Sequence, residues 1–251
     1  MEKKVGQFIA GGKSRSGLDR QQHDFYVTPK HSVQALIDHS IFKSLLHKIP
    51  FGKMWENAVG NGAILDTFEE NGFDIVGTDL NDWVGRFEQN DFLKNHMWFY
   101  EKFGYKTPYI ITNPPYKKAN EWLVKSLRAT GRYVILFLKL SFLESISRYK
   151  IFKMYPHLKY VLVFSKRQSP IHWSLVQKGE GLKSSSTTPT AWFIWDLQAI
   201  CKTNNNRSCS YFGWRTKNQF TGESTVTERY CVTCGNKVTD NQFMKIIGKG
   251  K

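Results

Sequence analysis

The chain has 251 residues, 41% of them hydrophobic, which is enough for one full α/β domain and a modest appendage. Its formal net charge of +15 is unevenly spread. Residues 31–138 carry 12 basic and 12 acidic side chains, residues 139–183 nine against two, and residues 200–251 nine against three. A neutral centre with basic flanks suits a polyanionic partner held apart from the chemistry. The opening MEKKVGQFIAGGKSRSG lacks the apolar stretch of a signal peptide, and the most apolar run, Tyr133 to Leu138, is far too short to cross a bilayer. Four cysteines without a secretory signal argue against a disulfide framework. The expectation is a soluble, cytoplasmic protein with no membrane partner.

In chain order, residues 1–24 are rich in Gly, Ser and charge and read as a flexible basic arm. Residues 31–48 place Val33, Leu36, Ile37, Ile41, Leu45 and Leu46 at helical spacing. Short apolar runs at 53–58, 73–78, 108–112, 132–138 and 158–164 read as strands, with helices over 63–71, 117–129 and 142–154 between them. Residues 190–197, TAWFIWDL, add one more strand. The alternation predicts an α/β fold of the Rossmann-like, doubly wound kind, with a mostly parallel sheet covered on both faces. After Ile200 the sequence turns polar, which divides the chain into an arm (1–24), a main domain (25–199) and a basic appendage (200–251).

Ligands of such folds sit at the carboxyl ends of the strands, so the residues closing each run are read together. The first run closes in Glu56-Asn57-Ala58-Val59-Gly60-Asn61-Gly62. The two glycines permit a sharp turn and close approach to a ligand, and Glu56 offers an acceptor beside it. The second run closes in Asp79, at the distance from Gly62 where a strand-end carboxylate accepts ribose hydroxyls. Farther on, Asp91-Phe92 offers a carboxylate next to an aromatic ring, suited to an adenine amine and its face.

The fourth feature is Asn113-Pro114-Pro115-Tyr116, directly after a predicted strand. Two successive prolines hold the exit extended, so the Asn113 side-chain carbonyl and the Pro114 backbone carbonyl can converge on one small donor. A planar amine with two hydrogens fits that pair of acceptors. Drawing both hydrogens into bonds frees the nitrogen lone pair for attack. Tyr116 supplies a π-face for a flat ring bearing the amine.

These residues resemble the catalytic and cofactor motifs of class I S-adenosylmethionine-dependent amino methyltransferases that act on adenine in DNA. The resemblance implies that Asn113 to Tyr116 are catalytic, that Glu56 to Gly62 form the cofactor loop, and that Asp79 and Asp91-Phe92 hold the ribose and adenine. Upstream, Tyr26-Val27-Thr28-Pro29 looks like the motif that closes over the methionine part of the cofactor. The motif order is similar to the gamma arrangement. Residues 134–145 (VILFLKLSFLES), Arg148, residues 161–167 (VLVFSKR) and Trp192 to Trp195 resemble small adenine methyltransferases common in bacteriophages. What this implies is S-adenosyl-L-methionine as cofactor, double-stranded DNA as partner after flipping of the target base, and either a cognate restriction endonuclease or none. The cofactor loop departs from the family's commoner Asp-x-x-x-Gly-x-Gly, since Glu56 and Asn57 open it here.

Lys117, Lys139, Lys166, Arg167, His172 and Trp173 are the candidate nucleic-acid contacts, combining phosphate-binding charge with a stacking surface for an extruded base. In the tail, Cys231-Val-Thr-Cys234 has the spacing of half a zinc site, and Cys201 and Cys209 are the candidates to complete it. Two other readings stay open: the same tetrapeptide acting on RNA or on a protein glutamine, and an inactive relative that only binds DNA.

Overall fold

The computed structural model describes residues 25–47, 52–155, 157–168, 170–173, 176 and 188–197, with the backbone of 211–217 and 224–231. Seven strands form the central sheet: β2 (Met54–Glu56), β3 (Ile75–Asp79), β4 (Glu88–Gln89), β5 (Tyr109–Thr112), β6 (Tyr133–Lys139), β7 (Leu158–Val163) and β9 (Thr190–Asp196). Their order is β4-β3-β2-β5-β6-β9-β7. The pairs from β4 to β6 are parallel, whereas β9 runs antiparallel to both β6 and β7. This is the expected Rossmann-like, doubly wound, mostly parallel sheet.

Side-chain alternation along β6 shows how both faces are filled. Tyr133, Ile135 and Phe137 pack with helices α1 (Lys30–Asp38), α2 (Ser40–Leu46) and α3 (Ala63–Glu70) through Leu36, Phe42 and Phe68. Val134, Leu136 and Leu138 face the opposite layer, where α5 (Ala119–Ala129) contributes Leu123 and Leu127, and α6 (Ile146–Met154) contributes Phe152. A strand buried on both sides reads as an unbroken apolar run, which is why the period-two signal is absent from YVILFL. Helix α4 (Trp98–Phe103) closes a third cluster in which Trp98 and Phe99 surround Trp55.

Several boundaries differ from the sequence reading. The helix expected over 31–48 is two helices, because His39 is extended (φ −67°, ψ 132°) and its ring nitrogen accepts from Ile41 N, capping the second. The helix expected over 142–154 begins as a 3-10 turn at Leu140–Leu143 and restarts at Ile146, after Ser145 at φ 121°. Helix α4 and strand β4 were not expected, since an aromatic six-residue helix and a two-residue strand carry too few positions for periodicity. Two further strands, β1 (Tyr26–Val27) and β8 (Ile171–His172), pair antiparallel as a separate ribbon.

In the polar tail, β10 (Tyr211–Lys217) and β11 (Ser224–Cys231) form an antiparallel hairpin with an irregularity between Trp214 and Arg215. Cys231 ends β11, while Cys201, Cys209 and Cys234 lie outside the described residues. Among the described residues no helix is long and apolar enough to cross a membrane.

Candidate active site

The carboxyl ends of β2, β3 and β5 surround a cavity of about 480 Å³. Glu56 ends β2 and is 1% exposed. Its Oε2 accepts from Leu65 N at 2.8 Å, so the carboxylate ties the strand to the first turn of α3. Burial pushes its carboxyl well above the usual range, the Leu65 bond opposes that, and the nearby Asp79 and Asp66 charges add to it. The turn after Glu56 requires its glycines: Gly60 sits at φ 55° and Gly62 at φ 92°. A Cβ on Gly60 would lie 2.5 Å from the Phe25 ring.

Asp79, the last residue of β3, is saturated with protein donors. Oδ2 accepts from Gly60 N at 2.9 Å, and Oδ1 accepts from Asn81 N at 3.0 Å and Trp83 Nε1 at 3.1 Å. Burial still raises its carboxyl, with those bonds lowering it. These bonds, with the Leu80 backbone also lowering the carboxyl, occupy most of the four lone-pair positions of the carboxylate, the Trp83 indole holding one of them. Asp91 accepts from Lys94 N and pairs with Lys94 Nζ at 3.1 Å. Phe92 is buried against Trp55 and Trp122, and it also borders the cavity.

The tetrapeptide follows β5. Asn113 Nδ2 donates to Tyr26 O at 3.1 Å and to Thr28 Oγ1 at 3.0 Å. With both amide hydrogens committed, the carboxamide has a fixed orientation and its Oδ1 is the end left to accept. Pro115 is extended (ψ 118°), and its carbonyl accepts from Lys118 N as the chain enters the 3-10 turn Tyr116–Lys118. The Tyr116 ring lies 6.0 Å from Tyr26 at 27°, with Lys139 Nζ 4.9 Å from its centroid.

The cavity brings together Tyr26, Thr28, Glu56, Asn61, Asp79, Asp91, Phe92, the tetrapeptide Asn113 to Tyr116, and Lys117. Four expected cofactor residues do not line it. Gly60 and Gly62 shape the turn, and Pro29 is the N-cap of α1. Asn57, in the turn just after β2, points inward instead, its Oδ1 accepting from Trp122 Nε1 at 2.8 Å. Of the expected nucleic-acid residues, Lys166 and Arg167 are exposed, His172 pairs through its backbone with Tyr26, and Trp173 stacks on Phe25 at 5.2 Å. Trp173 is half-buried, with Phe25 against its ring. Phe25, Leu80, Trp83 and Trp122 line the cavity without having been singled out. Adjacency was the signal for two of them: Leu80 follows Asp79, and Phe25 precedes Tyr26.

No protein-family model matches the chain, and no curated protein does. Among solved structures, one similar fold is a putative class I S-adenosylmethionine-dependent methyltransferase from Listeria monocytogenes, 14% identical with a TM-score of 0.48, covering 68% of this chain and 60% of that one. A modification subunit of a putative type I restriction enzyme from Vibrio vulnificus is 12% identical at TM-score 0.45, covering 68% and 44%. The type I restriction enzyme EcoKI M protein is 12% identical at 0.46, covering 70% and 44%. The chain spans 60% or less of each of these three proteins. Likenesses at this level select no substrate.

Proposed function

We propose that the protein transfers a methyl group from S-adenosyl-L-methionine to the exocyclic amine of adenine in DNA. The observation that carries this reading is the immobilised Asn113 amide, whose acceptor end is set by Tyr26 and Thr28 on the rim of a cavity lined by four carboxylates, Glu56, Asp79, Asp91 and Glu121. The cavity's contents fit the cofactor. Glu56, Asp79 and Asp91 supply negative charge and acceptors for a cationic ligand with a ribose, Phe92 and Leu80 supply apolar walls, and the missing Cβ at Gly60 leaves room for the turn beneath Phe25.

When bound, the cofactor would supply an electrophilic methyl on a sulfonium sulfur for attack by the amine nitrogen, the bonding pair staying on sulfur and the surplus amine proton passing to solvent. Asn113 Oδ1 and the Pro114 carbonyl accept the two amine hydrogens and orient the nitrogen lone pair. Tyr116, braced by Tyr26 and Lys139, stacks on the base. The base leaves the duplex at a cost of about a few kcal/mol, offset by that stacking and by phosphate contacts from Lys117, Lys166 and Arg167. Residues 25–199 act as the catalytic unit in this reading, and the basic arm and appendage add to the hold on DNA.

Incubation with methyl-labelled cofactor and unmethylated genomic DNA, followed by base-resolution mapping, tests the proposal. Label on adenine at a defined sequence is expected. Label found only on RNA or on a protein glutamine, in parallel reactions, would replace the substrate; no transfer at all would leave the DNA-binding reading in its place.

A further inference from the structure

Gln168 is 6% exposed, yet it belongs to the segment that carries the exposed Lys166 and Arg167. Its Oε1 accepts from Ser32 Oγ at 2.8 Å and meets His31 Nε2, and its Nε2 donates to Lys166 O at 2.7 Å. A buried amide with all its partners drawn from two chain segments 136 residues apart is a fastening, and Trp192 Nε1 holds the same point to the sheet by donating to Ser32 O at 2.9 Å. Just beyond it, Ile171 and His172 pair with Val27 and Tyr26, and Trp173 N donates to Phe25 O.

That ribbon touches both halves of the site. Tyr26 contributes the carbonyl that orients Asn113. Phe25 stacks on Trp173 and packs tilted, at 41°, against Trp83, and Trp83 donates to Asp79. Force on the basic segment therefore reaches the amine-gripping amide and the ribose-binding carboxylate through contiguous contacts.

We infer that Gln168 is a positioning residue that couples occupation of the Lys166–Arg167 segment by DNA to retention of the cofactor. The inference rests on the proposed reading of the site as one for S-adenosylmethionine and DNA. Because coupling is reciprocal, DNA tightens cofactor binding by the same factor that cofactor tightens DNA binding.

The test uses the full chain and S-adenosylhomocysteine, which permits no turnover. Its Kd is measured by calorimetry with and without a saturating adenine-containing duplex. The parent protein should bind at least about fivefold more tightly with DNA present. In Gln168→Leu the gain should fall below about twofold, while the DNA-free Kd stays within about threefold. Ser32→Ala, which cuts the same junction from the other side with a smaller change, should reduce the gain by at least about half. A merely structural role would lower the melting temperature and weaken both ligands without changing their mutual dependence.

An undiminished gain in either variant, or none in the parent, overturns the coupling. If the parent binds no S-adenosylhomocysteine in any condition, the cofactor reading itself falls; if it binds with no dependence on DNA, only the coupling falls.

Discussion

The Asn113 side chain donates to the Tyr26 carbonyl at 3.1 Å, joining residues 87 positions apart in sequence. This contact determines which end of the amide faces the cavity, so the polarity of the Asn113 amide is set by a two-residue strand upstream.

Replacing Asn113 with Ala removes an acceptor for the amine and one anchor of β1. Methyl transfer should fall by about 10²–10³-fold in kcat or more, with binding of S-adenosylhomocysteine changed far less. Asn113→Asp should fail as well, since a carboxylate turned toward the Tyr26 carbonyl sets two acceptors against each other. Single-turnover kinetics beside equilibrium binding checks both; transfer undiminished in Asn113→Ala would remove its assigned role.

Glu56 gives a pH signature. Burial, the largest cause, holds its folded-state pKa above the unfolded value. Its stabilising contribution is therefore complete below the unfolded pKa and is lost as pH rises through the folded pKa. Glu56→Gln retains an acceptor for Leu65 N and removes the buried charge, so it should raise the melting temperature of the cofactor-free protein more at about pH 8 than at about pH 5. The same variant should bind the cationic cofactor more weakly. Thermal melts across pH, with and without cofactor, read both effects.

Gly60→Ala places a Cβ 2.5 Å from the Phe25 ring on a backbone at φ 55°. The conformational cost alone is about 1–2 kcal/mol. Displacement of Phe25 would also disturb its contact with Trp83, so affinity for the proposed cofactor should fall by at least about tenfold, a difference of roughly 1.4 kcal/mol. Calorimetric titration of the variant measures it.

At the amino edge of the sheet, Asp196 is fully buried between Arg132 Nε at 3.0 Å and Lys159 Nζ at 2.9 Å. Asp196→Asn leaves two cations without their shared counter-charge and should destabilise the fold by about 3 kcal/mol. Cofactor affinity should be unchanged when measured well below the melting temperature. Denaturant unfolding paired with ligand titration separates stability from function at this control position.

The sheet was legible because its central strands are apolar runs ending in turn residues, and the acidic ends Glu56 and Asp79 could be aligned by that rule alone, whereas Asp91 follows the short β4 and was read from its neighbour Phe92. The direction of individual side chains was less accessible. Asn57 and Glu56 are neighbours in sequence, but Glu56 borders the cavity while Asn57, already in the turn after a strand only three residues long, accepts from Trp122, and no period reaches that turn. Trp83 and Trp173 depend on contacts made across loops, where no period operates. Gln168 was invisible for the same reason: its distant partners, His31 and Ser32, lie in the first turn of a helix some 136 residues earlier.

Strand β9 hydrogen-bonds on both sides, to β6 and to β7, and every one of its seven residues is buried. It is also the last strand of the sheet to leave the ribosome. Until Thr190 to Asp196 emerge, β6 and β7 have sticky, unpaired edges and no route to each other, so a nascent chain stopped short of this point would be prone to aggregate. Completion of the sheet is thus a late, long-range zippering event, and the tryptophans of β9 are the natural place to watch it happen in refolding experiments.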